Sequence, residues 1–237
     1  FEGSRLAPAL ALAGISGAEP LPAGARPLTL GGQVTLAPAG SVHLRDGIIG
    51  VGANRIRTAL DLRLDGDRPN LTGEIAADTL DISAFTTGGE SAPSSGGAGW
   101  PTDRIDASAL GLIDARLGLT LGPVITGFAN LDSVRGSLVI DRSRAVLELA
   151  EVRAFEGSLA GELVANNRSG LSVASTMRLR GVRLLPLLRQ AAGFERLTGL
   201  ASMDVRFLGS GASVDAIMRS LEGEGRLDFT NGEIIGL

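Results

Sequence analysis

The stretch that decides the fold is Leu200–Leu237, with the sequence LASMDVRFLGSGASVDAIMRSLEGEGRLDFTNGEIIGL. Its first part alternates apolar and polar residues, as expected for a strand with one buried face and one solvated face. The apolar positions are Ala201, Met203, Val205 and Phe207, and the polar positions between them are Ser202, Asp204 and Arg206. An amphipathic β-strand is therefore predicted at the start of this stretch.

A short helix is predicted after that strand. Gly209-Ser210-Gly211 interrupts the alternation, and Ser213 is placed to cap the N-terminus of a helix. Apolar residues then follow the i, i+3, i+4, i+7 spacing of one helix face, at Val214, Ile217, Met218 and Leu221.

A second strand is predicted to follow the helix. Beyond Gly223 and Gly225 the alternation returns through Leu227 and Phe229, and it ends at the turn-forming pair Asn231-Gly232. The stretch therefore predicts a strand–helix–strand unit.

A hairpin is predicted in the N-terminal half. Apolar and polar residues alternate strictly from residue 56 to residue 64, polar turn residues occupy 66–69, and the alternation then resumes. The charged residues Asp61 and Arg63 fall on one face. The other face is apolar and includes Leu60, Leu62, Leu64, Leu71 and Ile75. This pattern predicts an antiparallel hairpin with one apolar face and one solvated face.

Shorter strands are predicted upstream, at Gln33–Leu36, Ser41–Leu44 and Ile48–Val51, with Asp46-Gly47 as a hairpin turn. Residues 86–99 are rich in Gly and Ser and have no apolar periodicity, so this segment is predicted to be a linker or a mobile loop.

The region after this segment is also dominated by strand patterns. One predicted strand places Leu117, Leu119 and Leu121 on the same face. Further strands are predicted at Val134–Asp141, Ala145–Leu149, Ser158–Ala165 and Leu171–Arg180. The chain is therefore expected to be mainly β, with a few short helices at strand connections.

The composition excludes several functional classes. Hydrophobic residues make up 44% of the chain and aromatic residues only 3%, so Leu, Val, Ile and Ala must fill any interior. A net charge of −4, with no basic run and few aromatic residues, argues against nucleic-acid binding. The absence of cysteine excludes disulfides and thiolate metal sites. No apolar run is long enough to predict a transmembrane helix, and the N-terminal residues do not match a signal peptide.

The residues that could carry catalysis or bind metals form no convincing group. His43 is the only histidine, and it is predicted to be a surface strand residue. Asp61, Asp65 and Asp67 lack the spacing and the terminal Glu of a calcium loop. Gly209-Ser210-Gly211 lacks the Lys-Ser/Thr of a P-loop. We therefore predict no catalytic residue, no metal site and no cofactor, and a protein that is not an enzyme.

The apolar strand faces remain as the candidate functional site. They could form an ordinary hydrophobic core, or an open trough that holds acyl chains. The small number of predicted helices favours the trough, because little is available to cover so many strands. The candidate lining residues are Leu60, Leu62, Leu64, Leu71, Ile75, Leu117, Leu119, Leu121, Leu138, Ile140, Leu147, Leu149, Leu159, Leu163, Met177, Leu179, Met203, Val205 and Phe207.

Several motifs carry a resemblance to a known family. Besides Leu200–Leu237, they are Trp100 with Ile105-Asp106, a short helix at Ala107–Leu112, a strand at Asp114–Leu119, the hairpin motif Gly157-Ser158-Leu159-Ala160-Gly161, and a strand end that runs into a helix at Leu179–Leu188. From about Ile56 to Leu237 the chain resembles the AsmA family of Gram-negative envelope proteins. It departs from the family pattern at one proline, which the family has directly before Ile-Asp and this chain has at Pro101.

The resemblance implies a long, twisted antiparallel sheet curled into a groove. It divides the chain into an upstream β segment (1–85), a loop or linker (86–100) and an AsmA-like C-terminal groove region (101–237). It implies a fragment of a periplasmic protein that is anchored in the inner membrane by an upstream segment. The expected function is phospholipid transport in outer-membrane biogenesis, and the alternative is a structural or assembly factor that contacts outer-membrane proteins.

Overall fold

The protein is built mainly from β-strands. The computed structural model describes residues 28–38, 40–83, 100–126 and 129–234. In these ranges the strands, in chain order, are β1 (Leu28–Ala37), β2 (Ser41–Val51), β3 (Asn54–Arg63), β4 (Asn70–Ala77), β5 (Leu80–Asp81), β6 (Asp114–Leu121), β7 (Val124–Ile125), β8 (Asn130–Leu131), β9 (Ser133–Asp141), β10 (Arg144–Ala154), β11 (Gly157–Asn166), β12 (Ser172–Arg183), β13 (Leu200–Ser210) and β14 (Glu222–Thr230).

Eleven of these strands form one open sheet. Their order is β1-β2-β3-β4-β6-β9-β10-β11-β12-β13-β14, and β5, β7 and β8 form a separate three-stranded sheet. β1 and β14 are the two edges of the large sheet, which does not close into a barrel. The prediction of a mainly β fold built on a long sheet is therefore confirmed.

The prediction of a purely antiparallel sheet is wrong at one position. β4 and β6 are parallel neighbours, with Asn70 opposite Asp114 and Ala77 opposite Leu121. Parallel strands need a long crossover connection, and the chain from residue 78 to residue 113 provides it. As a result, the strands before and after the predicted linker belong to the same sheet. The Gly/Ser-rich segment itself lies outside the described residues.

Three helical elements are described between the strands. They are a 3₁₀ helix at Ser108–Gly111, helix α1 at Leu184–Ala192 and helix α2 at Val214–Arg219. α2 is the helix predicted from the apolar spacing, and the Ser213 Oγ accepts a hydrogen bond from the Ala216 N–H at 3.2 Å, as expected for an N-cap. None of the helices in the described part of the chain has the length and apolar character that crossing a membrane requires.

The predicted hairpin turn at Asp46-Gly47 is wrong. β2 continues through this pair, and its pairing with β3 shifts register between Leu44 and Gly47, which is a β-bulge. Asp46 has a positive φ of 49°. A positive φ is also what favours Asp-Gly pairs in hairpin turns, but here it occurs at a bulge inside a strand. The turn that joins β2 to β3 lies instead at Gly52-Ala53.

Candidate functional site: the apolar face of the sheet

One face of the large sheet is apolar across its whole width. Because residues opposite each other in register share a face, the pairing can be followed from strand to strand. One such row contains Leu60, Gly73, Leu117, Leu138, Leu147, Leu163, Ser175 and Phe207. We call the side that carries this row the apolar face and the opposite side the polar face.

The register places the predicted lining residues together. Of the candidates, all except Leu64 belong to strands of the large sheet, and every one of those lies on the apolar face. Leu64 follows the end of β3 and is about half exposed. The predicted alternation of the first hairpin is confirmed, since Leu62 is half-buried and Arg63 is exposed.

Three glycines interrupt the neighbouring row. Its members are Thr58, Ile75, Leu119, Gly136, Leu149, Gly161, Met177, Val205 and Gly225. Gly136 separates Leu119 from Leu149, and a Cβ at Gly136 would lie only 2.1 Å from the Glu148 carbonyl oxygen. The strands therefore approach each other closely here. Glycine separates Leu119 from Leu149, and a second glycine separates Leu149 from Met177.

The small sheet covers one end of the apolar face. Val124 of β7 packs with Val134 and Val152 of the large sheet in a buried cluster. Three of the predicted lining residues, Leu121, Leu149 and Leu159, pack against this cluster and so belong to a hydrophobic core. Helix α1 lies at the same end, where the Asn130 N–H donates to the Gln190 Oε1 at 2.9 Å.

Helix α2 and the segment before β6 lie at the other end. A Cβ on Gly209, near the end of β13, would lie 3.0 Å from a methyl carbon of Ile217 in α2. The segment before β6 is tied to α2, because the Asp215 N–H donates to the Pro101 carbonyl at 2.9 Å. The covering elements thus lie at the two ends of the strands.

The apolar residues between these ends are only half-buried. Leu60, Leu138, Leu147, Leu163 and Phe207 are all in this state, although Leu117 is buried. Among the described residues, no large side chain is fully buried. A closed core of this size would bury many such side chains completely, so the middle of the apolar face is partly open.

The opposite face carries ion pairs between neighbouring strands, and it also carries one apolar row, Val139, Val146, Val164, Ala174 and Leu208. Arg180 on β12 contacts Asp204 on β13 at 2.7 Å, and Arg135 on β9 contacts Glu151 on β10. The hydrogen bond from Arg180 lowers the pKa of Asp204, and those from Arg135 and Arg153 lower the pKa of Glu151. Apart from that row, charged and polar side chains dominate this face and suit it to contact with water.

The polar face also places His43 in an unexpected arrangement. The Ser41 Oγ lies 3.0 Å from the His43 Nε2, and the His43 Nδ1 lies 2.5 Å from the Asp61 Oδ1. Because a carboxylate only accepts hydrogen bonds, the Nδ1–H donates to Asp61, and in the neutral ring Nε2 accepts from the Ser41 hydroxyl. This is the hydrogen-bond order of a Ser-His-Asp triad. Sequence reasoning missed it, because the β2–β3 register that pairs His43 with Asp61 was not predicted.

The surroundings of this triad do not resemble those of a hydrolase. Arg45 also donates to the Asp61 Oδ1, at 2.6 Å, and the His43 side chain is 34% exposed. β2 lies between β1 and β3, and Ser41, His43 and their neighbours are paired in the two ladders, so their backbone groups build the sheet rather than an oxyanion site. The arrangement therefore acts as a polar clasp between β2 and β3. Within the described residues, no group of three or more acidic or histidine side chains is placed to hold a metal ion.

Comparison with known proteins gives one match. The family model of the AsmA family matches residues 51–237, which is most of the chain and includes strands on both sides of the parallel pair. No similar protein was found among curated proteins, and no similar chain among solved structures. The match covers the apolar face from β3 to β14, and the chain belongs to the AsmA family.

Proposed function

We propose that this chain is the periplasmic part of an inner-membrane-anchored protein that supports outer-membrane biogenesis by moving phospholipid along the apolar face. Membership of the AsmA family indicates a function connected with the cell envelope. The observation that carries the proposal is the apolar face itself, which runs across eleven strands and is half-buried rather than closed in its middle.

The mechanism is passive solvation. An acyl chain laid across the rows of Leu, Met and Val is removed from water, which is favourable by about 0.8 kcal/mol for each buried CH₂ group. The turns and the polar face remain in solvent, where a charged headgroup keeps its hydration. Neighbouring rows offer similar apolar surface, so a lipid can move between them without a large barrier. No covalent bond changes, and the protein acts as a carrier rather than an enzyme.

The test places charge on the apolar face of the full-length protein. Leu119→Asp with Met203→Asp should leave the strand content unchanged by circular dichroism, because both side chains are only half-buried. Native mass spectrometry should detect phospholipid on the parent protein and none on the variant, because an unpaired carboxylate is poorly tolerated beside acyl chains.

The matched control is Thr120→Asp with Thr176→Asp, which adds the same charge to the polar face. This control should keep its lipid. Unfolding of the apolar-face variant would show that the face is a closed core. A folded apolar-face variant that retains lipid at the parent level would also contradict the proposal.

A further inference from the structure

The apolar row on the polar face crosses five consecutive strands, from β9 to β13. We call this set the valine row, and its members are Val139, Val146, Val164, Ala174 and Leu208. The inner members are half-buried, and Leu208 is 54% exposed. The small sheet and α2 pack on the other face of the sheet, against Val134, Val152 and Gly209. These described elements therefore leave the valine row uncovered.

The row next to it carries a pair of like charges. Valine alone does not mark a binding surface, because β-branched residues favour strands on either face. In the neighbouring row, however, Glu148 on β10 lies directly opposite Glu162 on β11. Two carboxylates in such a cross-strand pair repel each other and destabilise the sheet. This repulsion would be relieved by a cation placed between or above them.

The chain supplies no such cation within the residues that the structure describes. None of their ion pairs involves Glu148 or Glu162. The Ser137 Oγ lies 3.5 Å from Glu148, but a hydroxyl does not neutralise the charge. Both carboxylates are exposed. On the same face Glu151 and Asp204 each have arginine partners, so the acid pair is an exception beside the valine row.

One depression combines the two properties. It has a volume of about 440 Å³, and Val164, Ala174 and Leu208 line it together with Glu162. In total, three carboxylates and one guanidinium line it, and that guanidinium lies 3.8 Å from a carboxylate other than Glu162. The surface therefore offers apolar contact area beside a net negative charge, which matches a partner with apolar and basic side chains.

The spacing of the valine row matches a helix better than an extended chain. Neighbouring strands lie about 4.7–4.9 Å apart, so successive members of the row have about that spacing. Successive turns of an α-helix are about 5.4 Å apart, whereas side chains on one side of an extended chain are about 6.7 Å apart. A helix laid across the strands therefore places about one turn over each strand, and an apolar stripe on the helix can follow the row.

We propose that the polar face binds a basic amphipathic α-helix of a partner protein across β9 to β13. The apolar stripe of the helix would cover the valine row, and its Lys or Arg residues would lie at Glu148 and Glu162. Burial of the apolar stripe supplies affinity, and the charges fix the orientation of the helix. The site lies on the side opposite the proposed lipid surface, so the proposal does not depend on lipid binding.

The test uses the intact chain and a synthetic amphipathic helix of about five turns, one for each strand of the valine row. Each turn carries one leucine and, beside it, one lysine. The control helix has glutamate in place of every lysine. Fluorescence anisotropy should show saturable binding of the lysine helix that weakens as salt is added. The glutamate helix should bind at least about tenfold more weakly, because its charges meet the acid pair.

Removal of the acid pair tests the electrostatic part of the site. Glu148→Gln with Glu162→Gln should weaken binding of the lysine helix by about tenfold or more. The same change should raise the melting temperature of the free protein, because the repulsion between the two strands is lost. The matched control is Glu74→Gln with Asp67→Asn, which removes as much charge. Glu74 lies in the same row but three strands from Glu148, so neither the affinity nor the melting temperature should change.

The valine row is tested separately. Val146→Thr with Val164→Thr keeps the side-chain shape and the preference for strands, and should weaken binding of the lysine helix by about tenfold or more. Circular dichroism checks that this variant is folded. If it is not, the glutamine pair still decides the test.

The proposal is wrong if the lysine helix does not bind, or if it binds as tightly to the glutamine pair as to the parent protein. Equal binding of the lysine and glutamate helices would also contradict it. Self-association of the parent protein that the threonine pair abolishes would overturn it in another way, because a second copy of the chain would then be the occupant of the valine row.

Discussion

Gly161 shows how a single residue shapes the apolar face. It has a φ of 158°, and a Cβ there would lie 2.2 Å from the Thr176 carbonyl oxygen of the next strand. Only glycine allows this approach. The close contact between β11 and β12 therefore explains the glycine at the end of the hairpin motif that suggested the family.

Gly161→Ala should therefore lower the free energy of unfolding by about 1–3 kcal/mol, because β11 and β12 must separate to admit the methyl group. Gly225→Ala is the control, since its nearest neighbour would be 3.5 Å away in the same row of the sheet. Urea denaturation of both variants measures the difference. Equal effects at the two positions would show that the close approach does not matter for stability.

Asp61 should give β2 and β3 a dependence on pH. Hydrogen bonds from His43 and then from Arg45 lower the pKa of this carboxyl. A lowered pKa in the folded state stabilises the fold above the unfolded pKa of about 3.9, and this contribution is lost as the pH falls through the folded value.

Asp61→Asn should therefore lower the melting temperature at pH 7, and the difference from the parent should shrink as the pH falls below about 4. Asp67→Asn, in the exposed turn after β3, is the control. A difference between Asp61→Asn and the parent that stays constant from pH 7 to pH 3 would argue against the clasp.

At the scale of elements, local patterns predicted much of the structure. The alternation in β3 and β4 gave the correct faces, and the apolar spacing with Ser213 gave α2 and its cap. These signals lie within a few consecutive residues, where periodicity and capping chemistry act directly.

Features that depend on distant parts of the chain were not predicted. The parallel pairing of β4 with β6 is set by where a long connection returns to the sheet. The bulge at Asp46 and the contact between His43 and Asp61 depend on the β2–β3 register. The apolar face was predicted strand by strand, but its division into a packed end and an open middle depends on where the small sheet lies.

Substitutions of Ser213 test whether the stability of the protein depends on the N-cap of α2. Ser213→Ala removes the acceptor for the Ala216 N–H and should cost about 0.5–2 kcal/mol of stability. Ser213→Asp keeps an acceptor oxygen and should preserve stability. Urea denaturation of the two variants checks this expectation, and an alanine variant as stable as the aspartate variant would contradict it.

At the scale of the whole molecule, the two faces of one open sheet divide its properties. The polar face carries the ion pairs and the clasp, and the apolar face carries large side chains that are packed at the end next to the small sheet and half-buried in the middle. We propose lipid carriage as a property of this whole surface rather than of a single residue or short motif.

The most direct test compares two adjacent residues that point to opposite faces. A photo-crosslinking side chain replaces either Leu119, on the apolar face, or Thr120, on the polar face, in the full-length protein in a Gram-negative cell. After irradiation, mass spectrometry should find a phospholipid adduct at position 119 and none at position 120. Adducts at both positions to the same extent, or at neither, would contradict the proposal that the apolar face carries lipid.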